Sequence, residues 1–396
     1  MRNKLDLTDV KILEGLAKYG PRNITKVAKE LNIPRGTVLS RIRRMSSSFS
    51  LRLLATVYHT NLGMKKAVVF AKATPGQEDL LVDCMKVNKF YIYISRCYGM
   101  FEGCIGVYVV PEEHTTKFER FLLELGKTGV TQDIKLLWST CFHTVNRTRK
   151  WFDGLSETWT FPWDKWLKEM PSQESELPYT LQDPESFTLK ADETDLYILK
   201  ELEKNSAISL AAIARKLGTT LQNIRYHYEN HIIEHGLIET FQIAIFPFER
   251  TTSDMLFFVF RFDSKEKMAK FGRSLLDKPF VTIVGKVLGE NALVVQAYLP
   301  RLEFRNFVDA LSKLVRVGFL QSYDYIFQDL RPGKWSRMTI PYELFKNGSW
   351  IYDHSKHIKS LYDLVATCQV DSTSTSQNYE SKKHFNSSLL SRSFRV

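Results

Sequence analysis

Arg35, Thr37, Ser40, Arg41 and Arg44 share one short stretch of the chain. At helical period Val38, Ile42 and Met45 form an apolar stripe, and the five polar residues stay off it. Arginine can reach guanine edges and phosphate oxygens, and serine and threonine hydroxyls can reach either. Arg43 and Arg52 would fall on the flanking phosphates. No acidic residue occurs from Leu31 to Gln77, so nothing in that span opposes a polyanion. A second stretch, Thr220, Gln222, Asn223, Arg225 and Tyr226, offers a similar front with less charge. Glutamine and asparagine there can read adenine.

Other reactive residues suggest less. His227, His231 and His235 recur every four residues, and two such histidines can share a metal. A third ligand is missing from the local sequence, because Glu234 points elsewhere and His235 sits at the helix end beside Gly236. They read as helix-surface or contact histidines, and no metal is expected. Tyr91, Tyr93, Tyr98 and Tyr108 alternate along strands and read as sheet packing before base stacking. Five cysteines, Cys84, Cys97, Cys104, Cys141 and Cys368, form no CxxC pair, which fits reduced thiols. There is no glycine-rich phosphate loop, no HExxH and no nucleophile elbow. The chain reads as a non-enzyme without a cofactor.

A formal net charge of +11 points to a polyanionic partner, double-stranded DNA before membrane. The 44% hydrophobic content is ample for packed cores in a chain of 396 residues. No apolar run is long enough for a bilayer and no signal-type segment opens the chain. A cytoplasmic, nucleoid-associated protein is expected.

The elements that must position these residues follow from periodicity. Leu5-Asp6-Leu7-Thr8-Asp9 opens a helix with acids in its first turn, carrying Val10, Leu13 and Leu16 until Gly20-Pro21. A second helix carries Val27, Ala28 and Leu31, and Asn32 turns the chain into the arginine-rich helix. Three short helices in this order make a helix-turn-helix. Residues 66–73, 90–97, 103–110 and 134–145 then read as strands, and 77–87 and 113–125 as helices. That βαββαβ order is ferredoxin-like, a four-stranded sheet with both helices on one face.

The pattern then repeats. Asp192-Glu193-Thr194-Asp195 follows Asp6-Leu7-Thr8-Asp9 at an offset of 186 residues, and the same offset sets Ile213, Ala214, Leu217 and Ile224 on Val27, Ala28, Leu31 and Val38. Residues 254–328 repeat the βαββαβ order. An internal duplication accounts for both. The fold class is therefore α+β: two tandem units, each a (winged) helix-turn-helix followed by a ferredoxin-like domain. The expected boundaries are 1–52 and 53–146, a tryptophan-rich strap and linker at 147–189, 190–240 and 241–330, a C-terminal strap at 331–365, and a disordered serine-rich tail at 366–396. Two sheets in one chain allow an intrachain pseudo-dimer, and a homo-oligomer is the rival arrangement.

Leu5-Asp6-x-x-Asp9-x-x-Ile12-Leu13, Val27-Ala28-x-x-Leu31 and the basic third helix resemble the Lrp/AsnC (feast/famine) transcriptional regulators. So do Asp192-x-x-Asp195-x-x-Ile198-Leu199, Ile213-Ala214-x-x-Leu217 and Ile232–Ile238. The tandem form is similar to certain archaeal regulators. The resemblance implies sequence-specific DNA binding through major-groove recognition helices and leaves a small-molecule effector open. Two departures stand out. Ser46–Ser50 replaces the family's Glu-x-x-Gly exit from the third helix. The family's Gly-x-x-Asp turn beside its small-molecule site reads Gly99-Met100-Phe101-Glu102 and Gly289-Glu290-Asn291-Ala292. The alternative is enzymatic: some proteins resembling this family decarboxylate sirohaem with a pair of such units, and a sensor or scaffold without DNA binding is a third reading.

Overall fold

The structure is a computed structural model that describes residues 4–331, 333–337 and 339–368. Most of the serine-rich tail, from residue 369, lies outside them.

The first unit opens with α1 (Leu7–Tyr19), α2 (Ile24–Leu31) and α3 (Arg35–Ser48). Asp6 and Asp9 form a reciprocal capping box: the Asp6 side chain accepts from Asp9 N–H at 2.9 Å, and Asp9 accepts from Asp6 N–H at 3.0 Å. Then come β1 (Arg52–Val57), β2 (Met64–Ala73), α4 (Glu78–Val87), β3 (Tyr91–Gly99), β4 (Gly103–Pro111), α5 (Thr115–Lys127), β5 (Thr131–Ser139) and β6 (His143–Thr144). A hairpin of β7 (Phe152–Asp153) and β8 (Thr158–Trp159) and the short α6 (Trp163–Glu169) follow. The second unit repeats the series with α7 (Glu193–Lys204), α8 (Leu210–Leu217), α9 (Leu221–Tyr226), β9 (Ile238–Ala244), β10 (Ser253–Arg261), α10 (Lys265–Leu275), β11 (Val281–Lys286), β12 (Ala292–Pro300), α11 (Arg301–Arg316) and β13 (Ser322–Gln328).

Each unit's four sheet strands take the ferredoxin-like order, β5-β2-β4-β3 and β13-β10-β12-β11. The two sheets join edge to edge. β3 pairs with β13 through Cys97–Gly99 and Ile326–Gln328, and β11 pairs with β6 through Ile283 and Val284. The ring closes where Ser139 bridges Val287 and Leu288 N–H donates to the Trp138 carbonyl at 2.8 Å. Sheet edges that would template association are thus covered within one chain. Gly285 sits at this seam, where a Cβ would come within 2.7 Å of the Phe142 ring and 2.8 Å of Ser139 Oγ. Alternation along β2 supplies both faces. Val68 and Phe70 pack inside the ring with Phe257, Val259 and Val294, while Ala67, Val69 and Ala71 pack outward under α4 and α5.

β1 and β9 stand apart as an antiparallel ribbon running from Arg52 opposite Ala244 to Val57 opposite Ile238. This ribbon joins the two helix-turn-helix heads, and it does so crosswise: Ser206, after α7, donates its N–H to Leu53 of β1, and α1 packs against β9.

The straps cross over as well. Trp151 and Trp159 pack on the first head, whereas Trp166, Met170, Leu177 and Leu181 join the core of the second sheet and its helices. Residues 177–183, expected to belong to a linker, are therefore bound to the opposite unit, with Lys286 Nζ 2.6 Å from Asp183. Reciprocally, Ile340, Phe345, Trp350, Tyr352 and Leu361 of the C-terminal segment join Phe90, Phe118 and Phe121 of the first sheet's layer. Each unit's trailing segment completes the other unit's core.

Candidate nucleic-acid interface and interior cavity

α2 hands over to α3 through Asn32, held in the left-handed region (φ 52°, ψ 45°) with its N–H on the carbonyls of Ala28 and Lys29. Gly218 (φ 68°, ψ 32°) makes the same turn before α9. Short turns of this kind set the second and third helices of a helix-turn-helix at their angle. In α3, Val38 and Met45 are buried, and Arg35, Gly36, Thr37, Ser40 and Arg43 are exposed. A Cβ at Gly36 would meet nothing within 4 Å, so this front admits a close-lying backbone. The serine run does not end the helix early. Ser46 and Ser47 hydroxyls donate back to the carbonyls of Ile42 and Arg44, and the chain leaves through Ser50 at φ 53°.

Arg41 and Arg44, read from the sequence as groove-facing, turn their guanidiniums toward α1. Arg41 Nη1 lies 2.7 Å from Asp6 Oδ2 and 2.9 Å from Asp9 Oδ1, and Arg44 pairs with Asp9. Asp9 is buried, and a buried carboxylate draws nearby cations more strongly than solvent-exposed groups do. Burial pushes the Asp6 carboxyl up, but hydrogen bonds from Arg41 and from Asp9 N–H outweigh it and hold the group below its usual range. Both arginine side chains keep 28% of their surface open beside a shallow concavity lined by Gly36, Thr37 and Ser40. Arg52, expected on a phosphate, is exposed on β1 at the mouth of an interior cavity.

In the second unit Gln222, Asn223, Arg225 and Tyr226 are exposed on α9. Thr220 caps that helix, its hydroxyl accepting from Asn223 N–H at 3.1 Å. α9 continues into a π-helical turn, His227–Ile233. His227 Nδ1 is 2.9 Å from Asp195 Oδ1, and His231 Nδ1 is 3.2 Å from Asp195 Oδ2. The acidic partners absent from the local histidine sequence are thus supplied by the capping box at the start of α7.

Known families and structures agree with this geometry. The AsnC-type helix-turn-helix domain matches residues 5–46, and a winged helix-turn-helix DNA-binding family matches residues 192–230. The first head is thus similar to the AsnC-type helix-turn-helix and the second to a winged one. An uncharacterised HTH-type transcriptional regulator of Pyrococcus horikoshii is 24% identical over 140 residues, covering 35% of this chain and 86% of the relative. The siroheme decarboxylase NirDL shares the tandem fold across 91% of this chain and 99% of its own, at 11% identity and a TM-score of 0.50. NirDL has also been solved with an iron-uroporphyrin III analogue. The protein carries two helix-turn-helix heads on one polypeptide, and no helix among the described residues is long and apolar enough to cross a membrane.

The turns around Gly99 and Gly289 leave Glu102 and Glu290 exposed. An interior cavity of about 400 Å³ lies elsewhere, between the β1–β9 ribbon and the ring of strands. Its lining includes Arg52, His59, Lys66, Arg147, Arg250 and Tyr298. Arg147 is buried and has no hydrogen bond or ion pair among the described residues, with Nε left unsatisfied. Burial pulls its pKa down to about 10, so the guanidinium stays charged at neutral pH. His59 is fully buried beside Lys66, and burial first and the lysine second drive its pKa well below the imidazole range. Apart from Arg52, which was read as a phosphate contact, none of these residues stood out in the sequence. Lys66, a cation inside the apolar strand β2, was the one available signal, because the lining comes from both units and exists only once the ring closes.

Proposed function

We propose that the chain is a sequence-specific DNA-binding regulator whose first head reads a major groove with α3. The observation that carries the reading is the exposed front of Arg35, Thr37, Ser40 and Arg43 on a helix of an AsnC-type helix-turn-helix, in a span free of acids. Arg35 and Ser40 are assigned to base edges and Arg43 to phosphate. Arg41 and Arg44 orient the helix through Asp6 and Asp9 and touch phosphate with their open edges. The second head, with Gln222, Asn223 and Arg225, makes a weaker, adenine-directed contact. A mobility-shift comparison of wild type with R35A/R43A at two salt concentrations tests this. Loss of affinity with a shallower salt slope supports the assignment, and unchanged binding removes it.

A second reading concerns the cavity. An unpartnered, buried guanidinium facing an internal space favours an anionic ligand, since arginine binds carboxylates through paired hydrogen bonds. The tandem fold shared with a siroheme decarboxylase makes polycarboxylate tetrapyrroles the first class to try. Titration with such a compound, followed by its Soret band in wild type and R147M, separates a specific site from surface adsorption.

A further inference from the structure

The duplication sets up a substitution that single-unit reasoning hides. In the first unit the capping box leaves two carboxylate oxygens unused by the backbone, Asp6 Oδ2 and Asp9 Oδ1, and Arg41 Nη1 takes both at 2.7 and 2.9 Å. In the second unit the box is reproduced by Asp192 and Asp195 with the same 2.9 and 3.0 Å bonds. The matching free oxygens are Asp192 Oδ2 and Asp195 Oδ1. At the offset of 186 residues, His227 stands where Arg41 stands. The π-helical turn inserts one residue, which brings His231 to the place of Arg44 and the buried Ile232 to that of the buried Met45. Among the described residues no arginine or lysine approaches these two aspartates. One copy holds its carboxylates with two fixed cations, whereas the other faces them with two imidazoles, which are metal ligands when neutral.

We propose that Asp192, Asp195, His227 and His231 bind a divalent transition-metal ion of the zinc class. His227 Nδ1 lies 2.9 Å from Asp195 Oδ1 and 3.6 Å from Asp192 Oδ2, and His231 Nδ1 lies 3.8 Å from Asp192 Oδ2. All four ligand atoms fall within 4.8 Å of one another. A tetrahedral zinc ion with bonds of about 2.0–2.1 Å sets its ligand atoms about 3.3 Å apart, so small rotamer adjustments complete the site. Two nitrogens and two carboxylate oxygens suit zinc or cobalt over calcium or magnesium, which prefer all-oxygen shells. The ion would supply the positive charge that Arg41 and Arg44 bring in the first unit and would tie the start of α7 to the π-helical turn that follows α9. On the DNA-binding reading, the second head then presents its helix in a metal-dependent way. The metal site itself does not depend on that reading.

Full-length protein stripped with EDTA and titrated with CoCl2 gives the test. Wild type is expected to bind one Co2+ per chain with the visible absorption of a tetrahedral site, to release it to ZnCl2, and to melt at a higher temperature with either ion. H231A should weaken binding by more than about 100-fold, the loss of a ligand exceeding that of an outer-shell partner. H227R/H231R restores the first unit's chemistry, so it should keep the helical content and lose the metal. Equal Co2+ affinity in wild type and H227R/H231R overturns the site. So does a wild-type melting temperature that responds to acid but not to zinc, which would make protons the counter-charge.

Discussion

Arg41 Nη1 lies 2.9 Å from Oδ1 of Asp9, a carboxylate with no exposed surface. That contact ties the recognition helix to the first turn of α1, so the front of α3 is aimed by an ion pair as well as by apolar packing. R41A leaves Asp9 with Arg44 alone. The expected cost is about 1–3 kcal/mol in the stability of the first head, below the cost of stripping a buried charge of every partner. Thermal unfolding checks this. A variant as stable as wild type would mean that the pair does not orient the helix.

Arg147 leads to the opposite sign. Its guanidinium is buried without a counter-charge among the described residues, so methionine at this position should raise the stability of the ligand-free protein by about 1–3 kcal/mol. Denaturant titration measures it. A destabilised R147M would show that the charge is already compensated in the folded chain.

The crossed straps predict mechanical behaviour. Glu185 and Ser186 are exposed between Leu181, packed in the second unit's core, and the second head. Cutting at a protease site introduced there should leave the fragments co-eluting on size exclusion, because each unit's core contains segments of the other. Separation without denaturant would contradict the exchanged arrangement.

His357 lies in the C-terminal segment, which turns helical from residue 354, and packs against Tyr352 and Phe121; burial lowers its pKa to about 4. The unfolded imidazole titrates near 6.5. Between these values the unfolded chain binds a proton that the folded chain does not, so this contribution is complete above about pH 6.5 and is lost as pH falls toward 4. Stability should drop by at most about 3 kcal/mol over that window, and H357F should flatten the slope. Parallel pH profiles for the two proteins would exclude His357 as the source.

The helices and the sheet strands were legible because their signals are local: capping aspartates, apolar stripes, alternation, and a repeat at a fixed offset. The observed β2, β3 and β4 lie within a few residues of the ranges read from periodicity. Closure of the ring and the crossed straps were not legible. Pairings such as Ile326 with Gly99 join residues more than two hundred positions apart, and nothing in either strand names its partner. The candidate groove residues were chosen by residue type and spacing, yet neither shows that Arg41 and Arg44 reach back to Asp6 and Asp9, since an arginine reads alike whether it faces solvent or a buried carboxylate. The histidine cluster was judged on one helix, while both of its acidic partners, Asp192 and Asp195, stand at the start of another.

One measurement bears most directly on DNA reading by two unlike heads on one chain. Selection of sites from a random duplex pool, followed by analytical ultracentrifugation of the protein on the enriched duplex, reports site and stoichiometry together. The expected result is one chain on an imperfect inverted repeat with unequal halves, the stronger half lost in R35A/R43A. Absence of any enriched sequence, or a strict palindrome that requires two chains, would contradict it.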